Sequence, residues 1–417
     1  MHYQFPKRSV RMAVAAAGAA AATAALGLAP ALAAPSAGIT IPVACSPGAL
    51  VRAITRAPSG ATLLLHNACT YLLASGLPTI TKTLTFNGPS SIARNTRTGI
   101  PQFSIMTVGS GGNVTLNNVN FSGGNSAGNG GAIYNNGGSV TVSGGTFRQN
   151  NAAGNGGAIY SAGSLSVTNA TFSGNTADFG GAMEIHGSGT ITHCQFLNNS
   201  VRNFGGAINN YGTTLVDDSS FSGGRANYGG GVDNNGSGSF TIQHSKFTSN
   251  TAVSGGGVSN AASMVLHDDL ITGNGNTITG RGGGVFTLTG MTVSDSTISG
   301  NQAIQGGGFY GTNSYKSTLN EDTIKNNSAN TGGGVENFGT ISISRSSITG
   351  NHASGNGGGF CNAGPGSVSH STISGNSAGG TGGGIYKAHV TVVSFSAVVS
   401  NTPNNIVTGV STGCNVS

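Results

Sequence analysis

The sequence predicts an all-β fold in which short parallel strands wind into a β-helix, and three observations support this prediction. Blocks of two or three glycines recur eleven times after residue 129, at intervals of 24 to 27 residues. Within each repeat, apolar residues alternate with serine, threonine or glycine, which is the period of a β-strand. Glycine-rich corners separate three such runs in each repeat. One repeat of about 25 residues is therefore expected to form one coil with three strands.

The composition agrees with a solenoid and argues against a nucleic-acid partner. Only 7% of the residues are charged and 73 of 417 are glycine, which on its own would also suit a disordered Gly/Ser/Asn-rich chain. The fixed spacing of the apolar residues excludes that interpretation. The 17 basic and 11 acidic residues leave only a small positive excess once the basic residues at the N-terminus are set aside.

Residues 1–33 have the pattern of a signal peptide. A basic segment at 7–11 is followed by an alanine-rich apolar run at 12–28 and by a small-x-small cleavage pattern at 31–33. A membrane anchor is the alternative, but Pro30 would interrupt the span. The sequence holds no second apolar run of about 20 residues. We therefore expect a secreted, extracellular protein with no transmembrane segment in the mature chain.

Residues 34–112 are expected to form an N-terminal cap and the first coils. Ser46 and Pro47 precede apolar residues at 49–54, which predicts a short capped helix. Such a helix would cover the first coil, whose strand edges are otherwise free to pair with another chain.

The cysteines predict one disulfide. Cys45 and Cys69 lie 24 residues apart, about one coil, and an exported chain favours their pairing. Cys194 falls in a column of small inward residues. Cys361 is expected to face outward, and the sequence leaves the pairing of Cys194, Cys361 and Cys414 open.

Residues 113–402 are expected to form the regular coils, with residues 403–417 as a C-terminal cap or tail. An aliphatic residue or phenylalanine follows each glycine block and should point inward. A second element, Phe/Ile-x-x-Asn, recurs once per coil, as at Phe147 to Asn150. The Phe and Ile residues should form one stacked core column. The asparagines should form a second column whose buried amides bond to one another along the axis.

The pairing of Gly-Gly-Ala-Ile/Val with Phe-x-x-Asn resembles the repeat of the polymorphic outer-membrane protein family, within the pectin-lyase-like right-handed parallel β-helices. The stretches "CSPGALVRAI" and "LPTITKTLTFNGP" look like the entry segment of secreted bacterial relatives, and "NTPNNI" at 401–406 is similar to their closing segment. The resemblance implies the right-handed turn and a secreted or cell-surface-associated protein. It does not indicate a particular activity.

One candidate site is a polar column at a corner, three residues before the Phe/Ile column. Neighbours in this column should lie about 4.8 Å apart, and each carboxylate should raise the pKa of the next. A Ca²⁺ site is one hypothesis, a carboxylate pair for polysaccharide cleavage is a second, and a solvated corner is the third. The metal candidates are Asp218, Asp268, Asp269, Asp295 and Glu321; the weak catalytic candidates are Asp218, His244, Asp268 and Asp295.

A second candidate site is an aromatic column that precedes the glycine blocks. It consists of Phe179, Phe204 and Tyr228 on three successive coils, with Glu184 and Asp233 nearby. Exposed aromatic rings suit sugar rings, so this column is a candidate carbohydrate-binding surface. The alternative is stacking that only stabilises the corner.

Two classes of function follow from these observations. The first is a secreted scaffold or adhesin-like protein that presents a repetitive surface to an extracellular polysaccharide or a cell-surface protein. The second is a polysaccharide lyase or glycoside hydrolase, with Ca²⁺ as a possible cofactor. An enzyme usually needs a long loop that builds a cleft. The coils differ by no more than three residues in length, which favours the scaffold.

Overall fold

A computed structural model describes residues 38–312 and 315–414; the predicted signal peptide at 1–33 lies outside the described residues. The described chain is an all-β parallel solenoid of about 15 turns. Every strand pairing within its sheets is parallel, between strands one coil apart. The predicted fold class is confirmed.

The predicted N-terminal helix is present as Pro47–Arg56. Its N-cap residue, Ser46, accepts a hydrogen bond from the Ala49 N–H at 3.3 Å, which satisfies one of the unpaired amides of the first turn. Leu50 and Ile54 are buried against the first coil. The helix covers the sheet edge, as the sequence predicts.

The largest sheet, sheet 1, has 27 strands and two arms. Its N-terminal strands are Thr40–Val43, Ala61–Leu65 and Thr70–Leu73, and two strands, Thr83–Arg94 and Asn113–Ser122, pass through both arms. The first arm continues with Ser139–Ser143, Ser164–Thr168, Ser188–Thr192, Thr213–Asp217, Ser239–Gln243, Ser263–His267, Thr292–Ser294, Lys316–Asn320, Thr340–Ser344, Gly366–Ser369 and Thr391–Ser394. The second arm continues with Thr146–Arg148, Thr171–Ser173, Gln195–Leu197, Ser220–Ser222, Lys246–Thr248, Leu270–Thr272, Thr297–Ser299, Thr323–Lys325, Ser347–Thr349, Thr372–Ser374 and Ala397–Val399.

Sheet 2 has 13 short strands and supplies the third strand of each coil. They are Met106–Val108, Ile133–Asn135, Ile159–Ser161, Met183–Ile185, Ile208–Asn210, Val232–Asn234, Val258–Asn260, Val285–Thr287, Phe309–Gly311, Val335–Asn337, Phe360–Asn362, Ile385–Lys387 and Ile406–Thr408. A fourth short segment pairs on many coils between sheet 1 and sheet 2, which the sequence did not predict. Its strands are Asn125–Ser126, Asn151–Ala152, Thr176–Phe179, Ser200–Phe204, Thr251–Ser254, Gly275–Arg281, Ser328–Ala329, His352–Ala353 and Ser377–Ala378, and a 3-10 helix at Ser411–Cys414 ends the described chain.

The core consists of stacked identical side chains. Phe147 pairs in register with Phe121 and Phe172, and ring centroids along the phenylalanine column lie 4.6 to 5.2 Å apart. The column continues with isoleucine from Ile271 onward. The aliphatic residues that follow the glycine blocks are buried as well. Both inward columns were predicted from spacing alone.

The asparagine column bonds along the axis, as predicted. Asn150 Nδ2 donates to Asn175 Oδ1 at 3.0 Å, and Asn175 Nδ2 donates to Asn199 Oδ1 at 2.9 Å. The ladder breaks where Gly224 replaces asparagine, and the Gly224 N–H donates to Asn250 Oδ1 instead. These bonds satisfy amides that would otherwise be buried without partners.

Two disulfides tie the ends of the described chain. Cys45 and Cys69 are bridged, with their sulfurs 1.99 Å apart. Cys361 is bridged to Cys414. Cys361 points away from the core, as predicted, but it is not exposed to solvent because the C-terminal segment covers its side chain completely. Of the cysteines in the described residues, Cys194 is unpaired and buried, and burial raises the pKa of its thiol to about 11.

Within residues 38–312 and 315–414, none of the helices has the length and apolar character needed to cross a membrane.

Candidate functional site

The middle residue of each strand of sheet 2 points away from the core, because its two neighbours in the strand point inward. We call these residues the outer column: Tyr134, Tyr160, Glu184, Asn209, Asp233, Ser259, Phe286, Tyr310, Glu336, Cys361 and Tyr386. An outward column at a solenoid surface is expected to be solvent-exposed. Here much of it is buried, so other side chains must cover it.

Two aromatic ladders flank the N-terminal part of the outer column. In the first, Phe204 stacks on Phe179 with centroids 5.7 Å apart and on Tyr228 at 5.2 Å. In the second, His186 lies 5.2 Å from Tyr160 and stacks on Tyr211 at 4.7 Å. We call the outer column from Tyr134 to Asp233, together with these ladders, the open face.

The first ladder was predicted to offer ring faces to sugars, but in the structure most of these faces are not accessible. Most ring faces along a ladder are covered by the next ring, and the rings of Phe179, Phe204 and Tyr228 are partly buried. Ring edges, and the faces at the end of a ladder, are what a ligand can contact. The second ladder was not predicted, although His186 and Tyr211, each three residues after the first core residue of a sheet 2 strand, are visible in the sequence.

Glu184 and Asp233, which were predicted to lie near the aromatic column, are buried on the open face, and each is only 1% exposed. Glu184 Oε1 lies 3.0 Å from His186 Nε2, and Glu184 Oε2 accepts from Asn209 Nδ2 at 2.8 Å. Burial raises the pKa of Glu184, and these two bonds oppose the rise. Burial raises the pKa of Asp233 to about 8.

Two buried acceptors of the open face have no hydrogen-bond partner. They are Asn209 Oδ1 and Asp233 Oδ2, which belong to neighbouring coils in register. Buried polar groups without a partner cost about 1–3 kcal/mol each. Such groups are uncommon in folded proteins. Because burial raises its pKa to about 8, Asp233 is protonated at neutral pH and can itself donate a hydrogen bond.

The C-terminal part of the outer column is covered by the chain itself. Residues 409–414, which we call the tail, follow the last strand of sheet 2 and fold back across that sheet. Asn356 Nδ2 donates to the Gly413 carbonyl at 2.9 Å, and Tyr386 Oη donates to the Val410 carbonyl at 3.2 Å. The Tyr386 ring lies against two tail glycines, Gly409 and Gly413, so closely that neither position has room for a Cβ atom.

The tail also covers a third buried carboxyl group. Glu336 is fully buried and accepts from Thr331 Oγ1 at 2.9 Å and from Gln305 Nε2 at 3.3 Å. Gln305 Nε2 lies 3.4 Å from the Cys414 carbonyl. Burial raises the pKa of Glu336 to about 8. We call Glu336, Cys361 and Tyr386 under the tail the covered face.

The corner column is placed as predicted, and several of its carboxylates lie beside a histidine. His193 Nε2 lies 3.4 Å from Asp218 Oδ2, His267 Nδ1 lies 3.3 Å from Asp295 Oδ2, and His244 Nδ1 lies 2.8 Å from Asp217 Oδ1. The expectation that neighbouring carboxylates raise one another's pKa is met only in part. After burial as the larger cause, Asp268 adds to the rise in the pKa of Asp269, and Asp295 adds to that of Asp322. The hydrogen bond from His244 lowers the pKa of Asp217, and the bond from Arg345 lowers that of Glu321.

The polar identity of this column has a backbone cause. Its residues have positive φ angles, between 48° and 62°. Asparagine, aspartate and histidine enter this left-handed region more readily than other non-glycine residues. The residues with this backbone are Asn118, Asn169, His193, Asp218, His244, Asp268, Asp295, Glu321, Arg345, His370 and Phe395.

Among the predicted metal candidates, Asp269 does not belong to the exposed corner. It is buried, its Oδ1 accepts from the Ser245 N–H at 2.7 Å and its Oδ2 accepts from the His267 N–H at 3.1 Å. Burial raises its pKa to about 7. In the part of the chain that the structure describes, no three His, Cys, Asp or Glu side chains are arranged to hold a metal ion. Asp268 and Asp295 lie on the exposed corner, with side chains 64% and 42% exposed.

Comparison with known proteins supports the identification of the repeat. Residues 144–162 and 370–387 match the model of the Chlamydia polymorphic membrane protein (Chlamydia_PMP) repeat. A search of curated proteins finds no significant match. Among solved structures, the A-module of the mannuronan C-5 epimerase AlgE6 of Azotobacter vinelandii is similar over 87% of this chain and 95% of that chain, at 13% identity and a TM-score of 0.36. The two matched segments contain the glycine and Phe/Ile-x-x-Asn elements, so the chain is similar to this family in its repeat.

Proposed function

We propose that the chain is a secreted or surface-presented β-solenoid scaffold whose open face binds an extracellular polysaccharide without cleaving it. The observation that supports this proposal is the pair of aromatic ladders, whose rings are partly exposed on the two sides of the outer column. Binding sites for small molecules and sugars combine apolar and aromatic walls with a few polar groups that fix orientation. The open face has this composition.

The repetition of the open face suits a polymer better than a single small molecule. Equivalent residues recur once per coil at about the strand spacing of 4.8 Å, which is close to the length of one pyranose unit. Tyrosine and histidine edges line one side of the outer column and phenylalanine and tyrosine edges line the other.

Binding without cleavage is favoured by the burial of the carboxyl groups. A general acid or base must come within hydrogen-bond reach of the substrate atom that it protonates or deprotonates. Glu184, Asp233 and Glu336 have raised pKa values but are at most 1% exposed. The weak catalytic candidates Asp218, His244, Asp268 and Asp295 occupy an exposed corner and belong to histidine–aspartate pairs.

A surface location is supported by two observations. The chain is similar in its repeat to a polymorphic membrane protein family. Its first 33 residues have the pattern of an export signal. Both disulfides also suit an oxidising compartment.

A glycan array with the purified full chain tests this proposal. We expect retention on one group of polysaccharides, with loss of at least about tenfold in affinity for Tyr211→Ala, which removes the end ring of the second ladder. The matched control is Phe395→Ala, because Phe395 is 83% exposed at the corner, away from the open face. Retention of no glycan, or equal loss in both variants, would contradict the proposal. New unsaturated or reducing chain ends in the bound glycan would instead support the lyase or hydrolase alternative.

A further inference from the structure

The two ends of the solenoid differ in how their strand edges are covered. At the N-terminal end, the helix Pro47–Arg56 buries Leu50 and Ile54 against the first coil. At the other end, residues 390–408 form the last coil, which we call the end coil. Three of its strands each pair with one strand of the preceding coil and with no other described strand; they are Thr391–Ser394, Ala397–Val399 and Ile406–Thr408. The second edge of each strand is therefore free to pair.

The hydrophobic core is open at the end coil. Its inward columns end on three residues, which are Val393, Val398 and Ile406. In the preceding coil the same columns hold Val368, Ile373 and Ile385, each of them 0% exposed. Val393 and Val398 are only partly buried, and Ile406 is 40% exposed. Apolar core surface therefore faces solvent at this end.

Two outward positions of the end coil are apolar as well. Val392 is 57% exposed and Val399 is 48% exposed. They pair in register with Ser367 and Ser374, which point outward from the preceding coil. A terminal repeat that acts as a cap has a polar outer face. The end coil has the opposite composition, which is that of a contact surface.

The chain's own tail does not cover this surface. Near its start, the Val410 carbonyl accepts a hydrogen bond from Tyr386 Oη at 3.2 Å. At its end, the Cys414 carbonyl lies 3.4 Å from Gln305 Nε2, several coils nearer the N-terminus. The tail therefore runs away from the end coil along sheet 2.

The end coil favours an apolar contact over an ion pair. Asn401 Nδ2, in the last coil of the asparagine ladder, donates to Asn405 Oδ1 at 3.1 Å, so the ladder is closed within the coil. Lys387 and His389 line a groove beside the end coil, and the sequence contains no acidic residue beyond Glu336. A partner at this end is therefore held by burial of apolar surface and by strand pairing.

We propose that the end coil binds the end coil of a second copy of this chain, which gives an end-to-end dimer about a two-fold axis. A matching partner needs free strand edges and open inward columns in the same outline. The N-terminal end does not offer them, because the helix Pro47–Arg56 covers it, so a head-to-tail stack is excluded. A second end coil offers both, and a two-fold axis lets the same surface serve on each copy.

The size and the strand direction of this contact suit a stable dimer. The glycine blocks recur every 24 to 27 residues, so one coil has about as many residues as a standard interface engages on each side, about 20–30. Across the two-fold axis the edge strands run antiparallel, and antiparallel pairs form regular hydrogen-bonded ladders.

The mass and the length of the full chain in solution test this proposal without any variant. Sedimentation equilibrium should give twice the mass of one chain. Small-angle X-ray scattering should give a rod about twice as long as one solenoid of about 15 turns, which measures about 70 Å at the strand spacing. High salt should leave the dimer intact, because it screens only the like charges of Lys387 and His389.

One pair of variants locates the contact. Val399→Lys should weaken the dimer at least about tenfold, because it brings a charge into the buried surface. Lysine fits this outward column, since Lys325 occupies it three coils earlier. The matched control is Thr349→Lys, in the same column but two coils from Val399, and it should leave the dimer unchanged.

Four results would overturn the end-to-end dimer. They are a wild-type chain that stays monomeric at every concentration, a dimer no longer than one solenoid, a dimer that dissociates in high salt, and equal weakening by Val399→Lys and Thr349→Lys. Binding of a monomeric wild-type chain, but not of Val399→Lys, to vesicles of neutral phospholipid would make a lipid surface the occupant instead.

Discussion

The open face and the covered face are built from the same strands of sheet 2, yet they differ in what lies on top of them. On the covered face, tail carbonyls accept hydrogen bonds from Asn356 and Tyr386, and the Cys361–Cys414 bridge holds the tail in place. On the open face, Asn209 and Asp233 are at most 1% exposed, and the rings of the two aromatic ladders lie nearby. The comparison shows that the same sheet is covered by the chain's own tail in one half and carries partly exposed aromatic ladders in the other.

The largest expected effect comes from breaking the bridge that fixes the tail. Cys414→Ser removes a disulfide that closes a loop with a sequence separation of 53 residues, and such bridges contribute about 3 kcal/mol. Thermal unfolding should show this loss, and hydrogen exchange should become faster around Glu336. The double variant Cys361→Ser with Cys414→Ser serves as control, because it should cost little more than either single change if the bridge is the cause. An unchanged melting temperature in Cys414→Ser would contradict the claim that the disulfide stabilises the tail on the covered face.

A smaller loss of stability is expected when the disulfide is intact but the tail can no longer pack closely against Tyr386. A Cβ atom at Gly413 would collide with the Tyr386 ring, so Gly413→Ala should cost about 1–3 kcal/mol through displacement of the tail. Gly128→Ala is the matched control, since Gly128 is exposed and a Cβ there would meet only Ser126 Oγ at 4.0 Å. Denaturant-induced unfolding measures the free energy of unfolding of both variants. Equal changes in the two variants would mean that Tyr386 does not hold the tail.

The sequence could predict the coils because one periodic pattern encodes them. The Phe147 column and the Asn150 column each follow from spacing and from the need to bury rings and satisfy amides. The position of the tail does not follow from this pattern, because the tail residues are not part of the repeat. Its position depends on the Cys361–Cys414 disulfide and on the packing of Gly409 and Gly413 against the Tyr386 ring. These contacts join residues that are far apart in the sequence, so the repeat does not predict them.

The candidate site could be predicted only in part. The positions of Glu184 and Asp233 beside the aromatic column follow from the repeat, but their burial does not, because it arises from covering side chains such as Tyr211. At the corner, the sequence shows aspartate and histidine in one column. Whether they repel or pair depends on rotamers, which place His244 against Asp217 at 2.8 Å.

The pH dependence of stability should reveal the buried acids of both faces. Burial raises the pKa of Asp233 and of Glu336 to about 8 in the folded chain, above the unfolded values of 3.8 and 4.5. Their contribution to stability is therefore fully present below about pH 4 and is lost as the pH rises toward 8. Each group can lower the free energy of unfolding by up to about 1.4 kcal/mol per pH unit in that window.

Single variants can separate the contribution of Asp233 on the open face from that of Glu336 on the covered face when stability is measured against pH. Asp233→Asn and Glu336→Gln should each flatten the fall in stability between pH 5 and 8. Melting curves of the two variants and of Asp218→Asn, whose carboxylate is exposed at the corner, provide the comparison. A rise in wild-type stability across this window would contradict the burial of both acids.

The smallest expected effect concerns the corner column, where both partners reach solvent. The hydrogen bond to Asp217, the largest cause, raises the pKa of His244, so the pair contributes while the imidazole is charged and its contribution is lost as the pH rises through the folded pKa. Asp217→Asn should return the His244 pKa toward 6.5, as read from its imidazole resonances by NMR, with a thermal midpoint close to that of the wild type because exposed pairs stabilise little. His352 is a suitable internal reference, since its Nδ1 lies 2.8 Å from Ser377 Oγ and none of the salt bridges in the described residues includes it. If the His244 resonances titrate identically with and without Asp217, the corner column is solvated surface. A large drop in the midpoint of Asp217→Asn would instead mean that the corner supports the coils as strongly as the tail supports the covered face.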